Sequence, residues 1–476
     1  MPKLTPGVTQ TLYYAAGLVM TRSVSLLMLP LVTHTLSPQS YGELEVLTAL
    51  ANLGTIVLGF GLVDALYRFG GLSASKADRK RVCANVFGIA LCVGLLCGVG
   101  AQFLAPALSL ALPGSVEVLN VRLILVCLAF EGVIAIPLSW LRMQEKARQF
   151  FVLSSGKALI QALLVFVFLE LGYGVTGIVA ASAVSATLLA LTLAVLQFRD
   201  CGIRLDKSSA KPLVHYGTPI MVSGIAMFTL SGLDRWVVAG SVGVAELAAY
   251  AVAIKFATVA TLLAQPYGLW WFARRFQVLR TPDGERDSAR LAATGACLGF
   301  IAACLVGLLS PVAITYLTPP AYHAACEYVV WLVLIFAIKN CTDLFNIGCY
   351  AGNSSHVQML IELGIAATGL TGYVVLVPHY GIPGAIVTLI GANLLRFALF
   401  FYFSQRALSL PYPMKRLLLL ALVCILALLL GQMPSTSIER LAVAFGLLML
   451  VMAGAFATGL IPDPRKLLLN RLQAAI

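Results

Sequence analysis

Charged side chains within long apolar stretches are the residues of this chain with the most distinctive chemistry. Asp234 and Arg235 are adjacent, and Lys255 follows them, in sequence that is otherwise apolar enough to lie in lipid. A charge at the centre of a hydrocarbon layer costs about 2.5 kcal/mol or more on insertion scales. Such side chains usually face a water-filled cavity or one another. We therefore treat them as candidates for binding a charged substrate or a coupling ion.

Basic residues outnumber acidic residues near the middle of these stretches. The bases are Arg22, Lys255, Lys339 and Arg396, and the acids are Glu131 and Asp343. A cavity lined by them would carry net positive charge, with Asp234 and Arg235 at its outer lip, and would concentrate an anionic substrate. Arginine also matches phosphate geometry through two parallel hydrogen bonds. We expect an anionic cargo rather than a cationic drug.

Two interpretations are open for Asp64, for the pair Asp234 and Arg235, and for Glu131. Asp64 lies one helical turn before Arg68 near a helix end, where the two could form a local pair that reaches the interface. Asp234 and Arg235 point about 100° apart on a helix, so they are not expected simply to neutralise each other. A salt bridge from this pair to another helix is the alternative to a role in the cavity. Glu131 could either balance a base or carry a proton.

The composition indicates that membrane-spanning helices position these charged residues. Of the 476 residues, 60% are hydrophobic and 11% are charged, whereas a soluble domain is about 45–50% apolar and about 25% charged. At about 20 apolar residues per span, the sequence predicts an all-α, multi-pass membrane protein with about 14 helices. Their predicted ranges are 10–35, 42–69, 82–109, 118–141, 149–171, 175–198, 212–239, 245–273, 289–310, 322–350, 355–377, 382–404, 413–431 and 438–460. Twelve helices is the alternative count, because the joints at 172–174 and 378–381 are short.

Lysine and arginine are distributed asymmetrically between the loops. They concentrate in the even-numbered loops and the C-terminal tail, although the tenth loop has none, and the odd-numbered loops contain only Arg440. Because cytoplasmic loops carry the excess of basic residues, both termini are predicted to be cytoplasmic. The net charge of +12 is then explained by basic loop residues that face anionic membrane lipids, and it does not indicate binding to nucleic acid.

The sequence does not favour an enzyme, a metal site or a bound cofactor. The predicted loops are too short for a soluble catalytic domain. Ser154-Ser155-Gly156-Lys157 lacks the upstream glycine of a phosphate-binding loop. The eleven cysteines are scattered and form no Cys-x-x-Cys pair, so neither a zinc site nor a disulfide framework is expected.

The chain contains an internal repeat. The first copy starts at Tyr41-Gly42-Glu43 and ends at Tyr67-Arg68-Phe69, and the second starts at Tyr250 and ends at Arg274-Arg275-Phe276. The basic segment 199–211 separates the copies. We therefore predict two pseudo-symmetric six-helix lobes at 1–200 and 212–408, a cytoplasmic linker at 201–211, and two extra helices with a tail at 409–476. Such a parallel repeat predicts a substrate site between the lobes.

Two motif stretches resemble a known family. The run Leu36-Ser37-Pro38-Gln39-Ser40-Tyr41-Gly42-Glu43, followed by Gly59-Phe60-Gly61-Leu62, resembles the opening of bacterial polysaccharide transporters. Tyr216-Gly217-Thr218-Pro219 and Asp234-Arg235 resemble the second half of that family. Its members are Wzx-type flippases of lipid-linked oligosaccharides, in a superfamily with the MATE drug exporters and the MurJ lipid II flippase. The resemblance implies a V-shaped, MATE-like arrangement of the two lobes.

The resemblance also implies a function and a set of roles. The expected cargo is an undecaprenyl-pyrophosphate-linked repeat unit of O-antigen, exopolysaccharide or capsule, which crosses the bacterial inner membrane by alternating access. The implied substrate-binding residues are Arg22, Arg235, Lys255, Lys339 and Arg396. The residues implied to couple an ion or balance charge are Asp64, Glu131, Asp234 and Asp343. A proton or sodium gradient would drive the cycle, and a polysaccharide polymerase and a chain-length regulator would be partners.

Three alternatives remain at this point. A MATE-type exporter of cationic compounds predicts a cavity dominated by acids. A MurJ-like lipid II flippase shares the cationic cavity and the number of helices. A membrane polymerase or ligase of the same pathway needs catalytic residues on a long outer loop, and no such loop is predicted.

Overall fold

A computed structural model describes residues 6–73, 75–351, 356–433 and 436–460. In this part of the chain the regular structure is helical, with no strands. The helices are α1 (Pro6–Thr35), α2 (Pro38–Gly59), α3 (Leu62–Leu72), α4 (Lys76–Ala111), α5 (Val118–Ala129), α6 (Glu131–Met143), α7 (Ala147–Glu170), α8 (Gly174–Asp200), α9 (Lys207–Ser231), α10 (Leu233–Ser241), α11 (Val244–Leu279), α12 (Gly284–Leu317), α13 (Ala325–Phe345), α14 (Ile347–Ala351), α15 (His356–Ala407), α16 (Met414–Leu430) and α17 (Ser437–Ala457).

The predicted multi-pass, all-α fold is confirmed. Among the described residues, 11 segments are long and apolar enough to cross a membrane. One of them, Val357–Ala407, is two helices that meet at Gly381, where the backbone has φ 61° and ψ −138°. The 30-residue α1 and the 17-residue α16 are further long helices. With these counted, the helices of the described chain correspond to the 14 predicted ranges.

Four of the predicted spans are each divided into two helices. The divisions fall between α2 and α3, between α5 and α6, between α9 and α10, and between α13 and α14. The first has a clear local cause, because Phe60 and Gly61 both have left-handed backbones with φ of 48° and 61°. A Cβ on Gly61 would lie 2.8 Å from the carbonyl oxygen of Gly217. Glycine therefore permits both the turn and the close approach of α9.

The chain forms two compact units, Met1–Ala248 and Ala249–Ile476. In the first unit, α9 and α10 pack against α2, and the apolar core centres on α3, α4 and α6 around Leu66, Phe87 and Ile136. In the second unit, α13 packs between α12 and α15, and the C-terminal helices α16 and α17 pack on α12. The predicted lobe boundaries at 200–212 remain a prediction.

Candidate functional site

The four acids predicted to handle ions all lie beside the helix divisions. Asp64, Glu131 and Asp234 are in the first turns of α3, α6 and α10, where the helix dipole favours a negative charge. Asp343 is instead in the last turn of α13, where the dipole disfavours it. Asp343 therefore needs cations nearby. Discontinuous membrane helices are typical of ion and substrate sites in transporters.

In the first unit, Asp234 and Arg235 pair with a third residue from another helix. The Arg235 Nε lies 3.4 Å from the Glu45 Oε2, and its Nη1 lies 3.9 Å from the Asp234 Oδ1. Glu45 and Asp234 are 2% and 3% exposed. Trp236 donates a hydrogen bond from its Nε1 to the Val46 carbonyl at 3.1 Å. The structure thus contains the inter-helix salt bridge that the sequence left open as the alternative, and it joins α10 to α2.

Glu45 was not among the predicted site residues. It lies one helical turn after Tyr41, which is fully buried. That spacing places the carboxylate on the buried face of α2. The spacing was the one signal in the sequence that could have identified it.

The remaining acids of the first unit have different surroundings. Glu131 is half-buried and is attracted electrostatically by Lys157 of α7. Asp64 is exposed, and the described residues contain no ion pair between it and Arg68. Instead, the Arg68 guanidinium lies 4.5 Å from the centre of the Tyr216 ring, within cation–π range.

In the second unit, Arg396 holds two acids. Its Nη2 lies 2.7 Å from the Glu362 Oε1, and its Nε lies 3.0 and 3.2 Å from the two carboxylate oxygens. Its Nη1 lies 3.6 Å from the Asp343 Oδ1. Arg396 is 7% exposed. The paired residues come from α13 and from both halves of α15. The ion pairs of Arg396 therefore connect these helices within the unit, and Arg396 is also a candidate binding residue.

Arg275 is a further buried arginine of the second unit, and it contacts Asn346 at the division between α13 and α14. The sequence placed Arg275 at the end of a membrane helix, but α11 continues to Leu279 and the side chain is buried. Its Nη1 donates a hydrogen bond to the Asn346 Oδ1 at 3.2 Å. The rings of Phe272 and Tyr350 lie 4.4 and 5.1 Å from its guanidinium. Arg275 therefore stabilises the residue at which the helix breaks.

The five predicted basic residues differ in their surroundings. Arg235 and Arg396 are held by acids, as described above. Arg22 on α1 and Lys339 on α13 are exposed, and no acid in the described part of the chain is within ion-pair distance of either. Lys339 still attracts Asp343 one turn away. Lys255 is half-buried on α11.

Among the described residues, no group of three or more His, Cys, Asp or Glu side chains could hold a metal ion. The two clusters are built from arginine–carboxylate pairs. A carboxylate that gains a proton or a cation releases its arginine, and a released arginine can bind an anion.

Solved structures share this fold. The lipid II flippase MurJ, in its inward closed conformation, superimposes with a TM-score of 0.70 at 11% identity, over 94% of this chain and 98% of that chain. An inward-facing multidrug resistance MATE family transporter of the MOP superfamily gives 0.61 at 18%, over 83% and 94%. A MOP superfamily transporter from Pyrococcus furiosus, described as having a binding pocket of reverse polarity, gives 0.54 at 16%, over 83% and 95%.

The fold is thus that of the MurJ and MATE transporters, and the protein is a multi-pass membrane protein. No curated protein sequence matches the chain significantly. Residues 31–266 match the family model described as "Polysaccharide biosynthesis protein". This match covers just under half of the chain, and together with the shared fold it supports a polysaccharide transporter or flippase family.

Proposed function

We propose that the protein is a flippase that moves an undecaprenyl-pyrophosphate-linked oligosaccharide across the bacterial inner membrane for O-antigen, exopolysaccharide or capsule synthesis. The observation that carries the proposal is the exposure of Arg22 and Lys339 on long helices, with no acid of the described residues in ion-pair distance. A lone base at membrane depth requires polar surroundings or an anionic partner. The pyrophosphate of the cargo supplies that partner.

The accessible bases act first in this mechanism. Arg22 and Lys339 attract the pyrophosphate, and the Arg22 guanidinium can bind it through two parallel hydrogen bonds. Lys255 contributes further positive charge. The lipid tail stays in the bilayer while the headgroup is carried across by alternating access. The short loops of the chain are consistent with transport rather than with catalysis.

The paired arginines act second. Protonation or sodium binding at Glu362 or Asp343 weakens their hold on Arg396, whose Nη1 has no hydrogen-bond partner among the described residues. Arg396 can then bind the headgroup. Arg235 has the same arrangement with Glu45 and Asp234. Glu131 and Asp64 are further positions at which an ion could bind, so a proton or sodium gradient drives the cycle.

The cellular setting of the proposal follows from the charge pattern and the family. The distribution of basic residues among the loops favours cytoplasmic termini, and the cargo would be loaded from that side. A polysaccharide polymerase and a chain-length regulator would take over the cargo on the other side. A cationic drug would be repelled by Arg22 and Lys339, which disfavours the exporter alternative.

The test is headgroup translocation in liposomes that contain purified protein and a fluorescent undecaprenyl-pyrophosphate oligosaccharide. A hydrogen bond to a charged group contributes about 1.5–3 kcal/mol, so Arg22→Gln and Lys339→Gln should each slow translocation about 10-fold or more. Arg122→Gln is the matched control, because Arg122 is also an exposed base on a membrane helix but was not predicted to bind cargo. Wild-type rates in both site variants would contradict the proposal.

A further inference from the structure

The second unit contains a basic pocket that shares no lining residue with the charged cluster of Arg396. Its volume is about 480 Å³, and it is lined by Arg286 and Arg290 of α12, Arg416 of α16, Pro411, Pro413 and Leu460. The ends of three helices meet there. Arg416 donates a hydrogen bond from its Nη1 to the Thr458 carbonyl at 3.2 Å, at the end of α17. Thr294 of α12 donates to the Leu460 carbonyl at 2.9 Å.

The charge of this pocket is not balanced by the described residues. Glu285 and Asp287 lie in the first turn of α12, but no acid of the described chain is within ion-pair distance of Arg286, Arg290 or Arg416. The N-terminal ends of α12 and α16 add the positive ends of their helix dipoles. Three converging guanidinium groups without a carboxylate are suited to phosphate oxygens.

The helix that contributes Arg416 to the pocket also has a lipid-compatible surface. Immediately after Arg416, α16 exposes Leu418, Leu419 and Leu422, each more than half exposed. Arg286 and Arg416 lie at the N-terminal ends of α12 and α16, in segments that the distribution of basic residues predicts to be cytoplasmic. A ligand with a phosphate at the pocket and acyl chains along α16 would match both the charge and the apolar surface.

We infer that this tri-arginine pocket binds the anionic phosphate headgroup of a phospholipid of the cytoplasmic leaflet, with its acyl chains against α16. Basic pockets between membrane helices on this side are suited to acidic lipid headgroups. The site would attach the C-terminal helices to anionic lipid. It does not use any residue of the proposed transport mechanism, so its failure leaves that mechanism unaffected.

The test uses the full-length protein in mixed micelles with equimolar phosphatidylglycerol and phosphatidylcholine, and native mass spectrometry to measure the lipid that stays bound. Each basic residue near a charged membrane surface contributes about fivefold in affinity. The triple variant Arg286→Gln, Arg290→Gln and Arg416→Gln should therefore lose phosphatidylglycerol preference at least 10-fold. The corresponding triple change to Lys keeps the charge and should retain part of the preference.

A matched control removes the same charge elsewhere. Lys76→Gln, Arg79→Gln and Arg81→Gln change three exposed bases at the start of α4 and should leave phosphatidylglycerol binding unchanged. Equal losses in the two triple variants would show general attraction to anionic lipid and overturn the inference. Complete displacement of phosphatidylglycerol by millimolar inorganic pyrophosphate would identify a free-anion site instead, and would also overturn it.

Discussion

The buried pair between Arg396 and Glu362 gives a quantitative prediction about stability. Three nitrogen–oxygen contacts of 2.7, 3.0 and 3.2 Å join the two side chains, and Arg396 is almost completely buried. Removing one partner of a buried pair costs about 3–5 kcal/mol, because the other charge is left without compensation. The two single variants should nevertheless differ, because Asp343 also faces Arg396.

The expected size follows from what each substitution leaves behind. Glu362→Gln leaves Arg396 with Asp343 at 3.6 Å, so the cost should fall below that range, at about 2 kcal/mol. Arg396→Gln leaves two neighbouring acids without their guanidinium and should cost about 4 kcal/mol. In the double variant only Asp343 has lost its guanidinium, so this variant should cost about 3 kcal/mol, which corresponds to a coupling free energy of about 3 kcal/mol.

The assay is reversible unfolding of the purified protein in mixed micelles with increasing dodecyl sulfate, which gives the free energy of unfolding of all four proteins. Arg122→Gln serves as the control for loss of an exposed base and should change the free energy by less than about 0.5 kcal/mol. Additive single costs, with a coupling below about 0.5 kcal/mol, would refute the assignment of a structural ion pair.

Two further predictions concern the first unit. Gly61→Ala should destabilise the protein by about 2–3 kcal/mol, because Gly61 has φ 61° and a Cβ would lie 2.8 Å from a carbonyl oxygen. Gly59→Ala, at a position with open space around it, should not, and equal melting temperatures for both variants would contradict the reasoning. Tyr216→Leu should cost about 1 kcal/mol through loss of the cation–π contact with Arg68 at 4.5 Å. Tyr216→Phe keeps a ring, so a cost equal to that of Leu would show that the contact contributes nothing.

The helices and their number could be predicted from the sequence because hydrophobicity over about 20 residues is a local property. The divisions within helices could not all be predicted in this way. Gly61 and Gly232 indicate two of them. The residues at the other two divisions, Phe130 and Asn346, are neither glycine nor proline. Asn346 is held by Arg275, which is distant in the sequence. Such a break depends on tertiary contacts that hydropathy does not contain.

The sequence identified charged residues better than it identified their partners. It singled out Arg235 and Arg396, and the structure places both in ion-paired clusters. Glu45 and Glu362, which pair with these arginines, were not predicted as site residues, because pairing between distant segments is set by packing. Packing also determines that Arg235 and Arg396 are ion-paired whereas Arg22 and Lys339 are exposed. The spacing of these residues in the sequence does not indicate this difference.

The cargo that we propose for this protein is an anionic, lipid-linked oligosaccharide. The most direct measurement reconstitutes the wild-type protein in liposomes under an imposed proton or sodium gradient and follows, in the same vesicles, a fluorescent undecaprenyl-pyrophosphate oligosaccharide and a cationic dye. We expect gradient-dependent translocation of the oligosaccharide lipid and no transport of the dye. Transport of the dye without translocation of the lipid would contradict it and would favour a drug exporter.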